Sequence, residues 1–214
     1  MNIRQRGWPV ATGAALGLQT GDVLLCSGKG LSSDIIRWFT GSHWTHVGVI
    51  VELDGVEEPL VLESNRGPES ADLFEGQPLT GITLVPLSRK LADYHGDVMV
   101  RRRDGAPLCP RRRRLARRLV QRLYRRPYRH YLWRQLLDLL PHTRRRDYSA
   151  LFCSELVAEF YRRLGWLPAD LRTGAVVPAD FAEDRLALVD GFLHPPVWLK
   201  RDSGKNSWLT VAGR

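Results

Sequence analysis

Residues 147–166, DYSALFCSELVAEFYRRLGW, place one cysteine at the start of a strong helical pattern. The apolar positions recur at i, i+3, i+4, i+7, i+8 and i+11, and are filled by Cys153, Leu156, Val157, Phe160, Tyr161 and Leu164. This spacing predicts a helix that begins near Cys153, buries one stripe and ends at Gly165. The residues off the stripe are charged: Glu155, Glu159, Arg162 and Arg163. Of these, Glu159 and Arg163 have the i, i+4 order that favours an ion pair on a helix surface.

The helical pattern leaves two interpretations of Cys153 open. In the first turn of a helix, unpaired backbone N–H groups and the positive end of the helix dipole stabilise a thiolate, which is a nucleophile. Free cysteine is also among the most buried residue types and packs as a small hydrophobe. A nucleophilic cysteine further needs a base within hydrogen-bond reach and a group that orients this base.

Six histidines offer a base for the thiol: His43, His46, His95, His130, His142 and His194. His46 begins the β-branched run HVGVIV, and a strand end can project a polar side chain into a cleft. Glu63 lies near the end of the next predicted strand, LVLES, and the ends of an antiparallel pair lie side by side. We therefore expect Glu63 to accept the imidazole N–H of His46 and to fix its tautomer. A zinc site made of His43 and His46 is disfavoured, because no further ligands are evident.

The middle of the chain predicts a small antiparallel sheet. Strand-like segments lie between residues 18 and 103, at LQTGDVLLCSG, HVGVIVEL, PLVLES, GITLVPL and DVMVRRR. The second and third of these form a hairpin-like pair. The segment SSDIIRWFTG, residues 32–41, predicts a helix of two turns, and VVPADF, residues 176–181, predicts another helix start.

The composition favours one globular domain. The chain has 214 residues, of which 43% are hydrophobic, so a single domain over residues 1–214 can bury a full core. We expect a cytoplasmic location, because no apolar run approaches a membrane span and the N-terminus is too weakly apolar for a signal peptide. The three cysteines contain no CxxC pair, which indicates neither a disulfide framework nor a zinc site. No cofactor or metal is expected.

The positive charge is confined to an Arg-rich segment, residues 101–147. Seventeen arginines, no lysine and three aspartates give it a net charge of +14, so the rest of the chain carries −5 of the total of +9. Within it, Leu115, Leu119 and Leu123 recur at i, i+4 and i+8, which predicts an amphipathic helix ended by Pro127. Residues 126–142 have room for a second short helix. The segment is suited to contact an anionic membrane or another polyanion, but a solvated face is equally compatible, and no specific nucleic acid is expected.

The segments GDVLLCSG, WTHVGVIV, VLES and LFCSELVAEFYRRLG together resemble the circularly permuted NlpC/P60 family of papain-like cysteine hydrolases. This group includes the YiiX-like proteins and resembles lecithin-retinol acyltransferases. Its distinguishing feature is the chain order, in which the histidine and the acid precede the cysteine helix. The resemblance covers roughly residues 19–164. It implies an α+β fold in which the cysteine helix packs on a small antiparallel sheet, with the Arg-rich segment as a helical insertion.

The same resemblance implies roles for three residues. Cys153 would be the nucleophile, His46 the general base and later acid, and Glu63 the residue that orients His46. The implied activity is that of a cysteine hydrolase or acyltransferase, which cleaves an amide or ester bond of a peptide or lipid acyl substrate through a thioester at Cys153. The backbone N–H of Cys153 is a candidate for the oxyanion hole. The alternative is a catalytically inactive papain-like module that binds an anionic surface or nucleic acid through the Arg-rich segment.

Overall fold

A computed structural model describes residues 17–28, 33–34, 37–38, 41–65, 70–124 and 149–202, without the side chains of residues 149–152. The second helix predicted in residues 126–142 lies outside these ranges. In the segment predicted as a helix at residues 32–41, the four residues described between Ser33 and Trp38 are helical.

Eight strands form the sheets of the described part. They are β1 (Val23–Gly28), β2 (His46–Val51), β3 (Leu60–Asn65), β4 (Gly81–Pro86), β5 (Gly96–Arg101), β6 (Arg103–Asp104), β7 (Phe192–Leu193) and β8 (Val197–Lys200). Six of them form one antiparallel sheet in the order β4-β3-β2-β1-β5-β8, and β6 pairs with β7. The antiparallel sheet predicted for the middle of the chain is confirmed.

The predicted strand pair forms as expected. Val49 of β2 lies opposite Leu62 of β3, and Val51 lies opposite Leu60. The β-branched side chains alternate between the two faces of the sheet, and both faces are buried, which is why HVGVIV reads as a continuous apolar run. Strand β8 was not predicted, because VWLK lies in an apolar tail without period-two alternation.

Besides the helical residues between Ser33 and Trp38, the described ranges hold four α-helices with complete bounds: α1 (Leu87–Asp93), α2 (Pro110–Leu123), α3 (Ser149–Arg163) and α4 (Pro178–Ala182). A 3-10 turn spans Thr173–Ala175. Helices α2 and α4 confirm the predicted elements, whereas α1 was not predicted. Helix α3 is followed by Gly165, whose φ of 74° favours glycine and ends the helix as expected.

The sheet buries a core on each face. On one face, α3 lies on β2 and β3, and α2 adds Ala116, Leu119 and Val120 to the same core. On the other face, Leu87 and Tyr94, at the two ends of α1, pack with residues of the sheet: Leu24, Cys26, Ile50, Val61, Val98 and Val100. The sheet therefore lies between helices. None of the described helices is long and apolar enough to cross a bilayer.

A buried arginine ties the sheet to the segment that follows α3. Arg101, at the end of β5, is 1% exposed. Its guanidinium donates to the carbonyl oxygens of Phe181, Leu193 and His194 and to the carboxylate of Asp184. Because a buried charge is tolerated only when it is paired and hydrogen-bonded, these contacts fix α4 and β7 against the edge of the sheet.

Candidate active site

His46 and Glu63 meet at one end of the sheet. His46 is the first residue of β2, and its Nε2 atom lies 2.8 Å from Oε2 of Glu63 on β3. The Glu63 side chain has no exposed surface, and the His46 side chain is 15% exposed. The antiparallel pairing of β2 and β3 thus brings together the two residues that the sequence proposed as base and orienting acid.

Gly48 makes room for Glu63. A methyl group on Gly48 would lie 3.4 Å from Cβ of Glu63 and 2.7 Å from Cγ1 of Val61. The second distance is shorter than any ordinary carbon–carbon contact, so a residue with a side chain would force either the Val61 side chain or the two strands to shift. Glycine at this position therefore allows the close approach that positions Glu63.

The other oxygen of Glu63 has partners that were not predicted. Nζ of Lys90, on α1, lies 2.9 Å from Oε1, and the Asn65 side-chain amide donates to the same oxygen. Lys90 is 2% exposed, and its ammonium lies 4.8 Å from the centre of the Tyr94 ring, in a cation–π contact. Both carboxylate oxygens of Glu63 are therefore occupied.

The electrostatics of this cluster keep Glu63 ionised. Burial alone would raise the pKa of Glu63, but the positive charge of Lys90 and the hydrogen bond and charge of His46 outweigh burial. They hold the pKa of Glu63 well below its usual range. At neutral pH, His46 therefore faces a carboxylate and not a carboxylic acid.

Cys153 is the second partner of His46. Cys153 belongs to α3, and its side chain is fully buried in the core that this helix forms with the sheet. It forms a hydrogen bond with the His46 imidazole. Burial alone would lower the pKa of His46, but the charge and hydrogen bond of Cys153, and then those of Glu63, raise it to about 9. The structure thus joins Cys153, His46 and Glu63 in one chain of interactions.

The position of Cys153 in its helix differs from the prediction. Helix α3 begins at Ser149, so Cys153 is its fifth residue and lies in the second turn. Only the first four N–H groups of an α-helix lack an acceptor within the helix. The prediction that Cys153 lies in the first turn is wrong. The backbone N–H of Cys153 is therefore not one of the unpaired N–H groups at the helix start, which was the reason to expect it in an oxyanion hole.

Two other histidines that the sequence offered, His43 and His194, pair with carboxylates elsewhere, and His130 and His142 lie outside the described residues. His43 is about half exposed, and its Nε2 lies 3.0 Å from Oδ2 of Asp97, so it does not share a site with His46. His194 lies 3.2 Å from Asp104. Neither Cys26, which is buried, nor Cys109, which is exposed, is in a disulfide. Among the described residues, no group of three or more His, Cys, Asp and Glu side chains is arranged to hold a metal ion.

Glu155 was expected on the solvated side of α3, but it is buried. It is 6% exposed beneath Gly174, and its Oε2 has no hydrogen-bond partner in the described ranges. Burial, and then the negative charge of Glu159, raise the pKa of Glu155 to about 7. The predicted ion pair between Glu159 and Arg163 is present, with a separation of 2.7 Å.

A cleft lies away from Cys153 and its partners. It has a volume of about 820 Å³ and is lined by Glu52 and Asp54, which follow β2, and by Arg113 and Arg117 of α2. Because His46 begins β2 and this cleft lies beyond its other end, the cleft does not lead to the thiol.

Comparison with solved structures gives a distant likeness. No family model and no curated protein matches the chain. Among solved structures, the metalloprotein YiiX from Escherichia coli O157:H7, DUF1105, is similar with a TM-score of 0.46 and 22% sequence identity. The match covers 69% of this chain and 66% of that one, so the chain spans slightly less than two thirds of the length of YiiX.

Proposed function

We propose that this chain is a single permuted papain-like domain of the NlpC/P60 type that cleaves an amide or ester bond through a thioester at Cys153. It acts as a cysteine hydrolase or acyltransferase on a peptide or lipid acyl substrate. The observation that carries the proposal is the chain of interactions from Cys153 through His46 to Glu63. It brings together a thiol, a proton carrier and an orienting carboxylate, which are the three groups that nucleophilic cysteine catalysis needs.

In the acylation step, the Sγ thiolate of Cys153 adds to the carbonyl carbon of the substrate. The carbonyl electron pair moves to the oxygen, which gives a tetrahedral oxyanion. As this intermediate collapses, the bond to the leaving nitrogen or oxygen breaks, and the His46 imidazolium donates its proton to the leaving group. Because Nε2 is held by Glu63, Nδ1 is the ring nitrogen that exchanges this proton. The products are a thioester and a free amine or alcohol.

In the deacylation step, water adds to the thioester carbonyl while His46 takes its proton. The carbon–sulfur bond then breaks, a carboxylic acid leaves, and Cys153 returns as a thiolate beside imidazolium. An amine or alcohol in place of water completes acyl transfer by the same route. Glu63 keeps the imidazole in one orientation through both steps.

Labelling with iodoacetamide tests this proposal without a substrate. Cys109 must first be replaced by serine, because it is exposed and because backbone N–H groups of Arg112 and Arg111 lower the pKa of its thiol. We expect Cys153 to label well below pH 7 in Cys109→Ser and to lose this labelling when His46→Ala is added, as read by peptide mass spectrometry. If the labelling of Cys153 rises with pH as that of an unperturbed thiol does, with a midpoint at about pH 8.5, or if Cys153 does not label, the proposal is wrong.

A second candidate function rests on an exposed stripe of arginines on α2. Ion pairs engage Arg112 with Asp190 and Arg117 with Asp54. Five further arginines of α2 are exposed and have no ion pair in the described part of the chain: Arg111, Arg113, Arg114, Arg118 and Arg122. Four of them, at positions 111, 114, 118 and 122, recur at helical spacing and form the stripe. We propose that this stripe contacts an anionic membrane surface, because clustered cations attract anionic headgroups. The protein would do so either as a catalytically inactive module or in addition to its catalytic role.

Flotation with vesicles tests the arginine stripe. We expect the protein to bind phosphatidylserine vesicles at low salt and to lose binding when the four stripe arginines are changed to glutamine. The control variant makes the same charge change at scattered exposed positions, Arg89, Arg102, Arg185 and Arg201. If both variants lose vesicle binding equally, the binding depends on net charge and not on the stripe. If the protein binds a single-stranded oligonucleotide more tightly than the vesicles, its partner is a nucleic acid and not a membrane.

A further inference from the structure

Lys90 has no part in the proposed reaction, yet it is built into the site. Its ammonium is nearly fully buried and contacts Oε1 of Glu63, the oxygen that His46 does not use. Burying an ammonium and a carboxylate carries a large desolvation cost, which their attraction offsets only with good geometry and further hydrogen bonds. Asn65 and the Tyr94 ring supply such contacts here. A purely structural position could be filled by a neutral pair at lower cost.

The charges around His46 indicate what the ammonium does. Within the described ranges, the charged or titratable groups that shift the pKa values of the His46–Glu63 pair, besides the pair itself, are Lys90 from α1 and Cys153 from α3. With Lys90 present, the charge of Glu63 is balanced whether or not His46 carries its second proton. Without Lys90, the imidazolium would be the remaining cation against Glu63, and its deprotonation would leave a bare carboxylate in the core.

We propose that Lys90 is a positioning residue that serves as the permanent counter-ion of Glu63, and so leaves His46 free to give and take a proton. This inference rests on the proposed function, in which His46 donates a proton in one step and accepts one in the next. A histidine locked as imidazolium could protonate the leaving group once, but it could not accept the proton of the attacking water. Lys90 thus separates the orienting task of Glu63 from the proton-transfer task of His46.

The test is a titration of His46 by NMR in protein labelled with ¹⁵N-histidine, with the signal assigned by its loss in His46→Gln. The first variant is Lys90→Gln, which removes the charge and keeps a hydrogen-bond donor for Glu63. We expect the His46 midpoint to rise by about one pH unit or more, because removing a nearby positive charge favours the protonated imidazole. Lys90→Arg keeps the charge and should keep the midpoint close to that of the wild type.

Lys200→Met is the matched control. Nζ of Lys200 donates to the carbonyl oxygens of Leu91 and Tyr94 at the end of α1, so it holds the same helix without touching Glu63. We expect this variant to lose stability and to leave the His46 midpoint in place. A shift in Lys200→Met equal to that in Lys90→Gln would assign the effect to the helix and overturn the inference.

The remaining outcomes separate the inference from the proposed function. A midpoint that stays in place in folded Lys90→Gln would overturn the role of Lys90, even if Cys153 labels at low pH. If Cys153 is unreactive in the labelling experiment but the His46 midpoint rises in Lys90→Gln, the proposed catalytic function is wrong and the role of Lys90 as counter-ion of Glu63 stands. If Lys90→Gln does not fold, Lys90→Met is titrated in its place. If neither uncharged variant folds, the role of Lys90 is structural and the inference is overturned.

Discussion

The imidazole of His46 donates from Nε2 to Oε2 of Glu63 over 2.8 Å, between neighbouring strands and without exposed surface on the carboxylate. The same carboxylate contacts the Lys90 ammonium through its other oxygen. Glu63 therefore joins a proton carrier to a fixed positive charge. Its removal should affect both the stability of the fold and the state of the imidazole.

Glu63→Gln should destabilise the protein by about 3–5 kcal/mol at neutral pH, because it leaves the Lys90 ammonium buried without its carboxylate. Urea unfolding measures the change. The control is Glu63→Gln combined with Lys90→Met, which removes both charges and should lose less stability than the two single variants together. A loss below about 1 kcal/mol in the single variant would show that the pair is not desolvated as described.

The stability of the fold should fall as the pH rises from about 6.5 through 9. The pKa of His46 is raised from 6.5 to about 9 in the folded protein, so its stabilisation is complete below 6.5 and is lost above 9. The shift corresponds to at most about 3 kcal/mol. Urea unfolding at pH 6 and at pH 9.5 measures this loss, which should be absent in His46→Gln. An equal loss in the variant would assign the pH dependence to another group.

Glu155→Gln should stabilise the protein at pH 8 and leave it nearly unchanged at pH 4. Burial raises the pKa of Glu155 from 4.5 to about 7, so the ionised carboxylate costs the folded state stability as the pH rises through this range. The expected gain at pH 8 is about 1–3 kcal/mol. Thermal or urea unfolding measures it. Glu159→Gln is the comparison variant: it removes the smaller cause of the Glu155 shift but also the ion pairs with Arg162 and Arg163, so it should gain less stability at pH 8 than Glu155→Gln.

Gly48→Ala should cost about 1–3 kcal/mol of stability, because the added methyl overlaps Val61 and presses on Glu63. Gly174→Ala is the matched control, since a methyl there meets Glu155 at an ordinary distance of 3.6 Å. Urea unfolding compares the two. Displacement of Glu63 should also lower the midpoint of the His46 titration in Gly48→Ala. Equal stability of the two variants would mean that β2 and β3 absorb the methyl without strain.

The sheet was predictable because its signals are local. The run HVGVIV and the following LVLES carry their strand character in a few adjacent residues, and the short connection between them forces antiparallel pairing. From that pairing, the approach of His46 to Glu63 follows directly. The meeting of Cys153 with His46 depends on how α3 packs on the sheet, which no local pattern specifies. It was proposed from the need of a nucleophilic cysteine for a base and from resemblance to a family. The catalytic roles of the three residues stay predictions.

Lys90 and Glu155 show what local patterns miss. Leu87, Lys90, Leu91 and Tyr94 recur at i, i+3, i+4 and i+7, so a lysine lies within an apolar helical stripe, which is a signal of a buried charge. Its partner Glu63 lies in another element, and no spacing connects the two. Glu155 lies off the apolar stripe of α3, yet the 3-10 turn at Thr173–Ala175 covers it. When a segment far along the chain buries a residue, the hydrophobic periodicity around that residue does not show it.

The order of the four residues along the chain has a consequence for biosynthesis. His46, Glu63 and Lys90 lie on elements that are complete well before Cys153 is translated. Because a domain folds as a unit, and α3 covers β2 and β3, the buried cluster of carboxylate, imidazole and ammonium is completed only after α3 has emerged from the ribosome. A chain that ends before α3 therefore lacks both the nucleophile and the helix that completes the core. Under the proposed function, such a product could neither form a thioester nor become trapped as one.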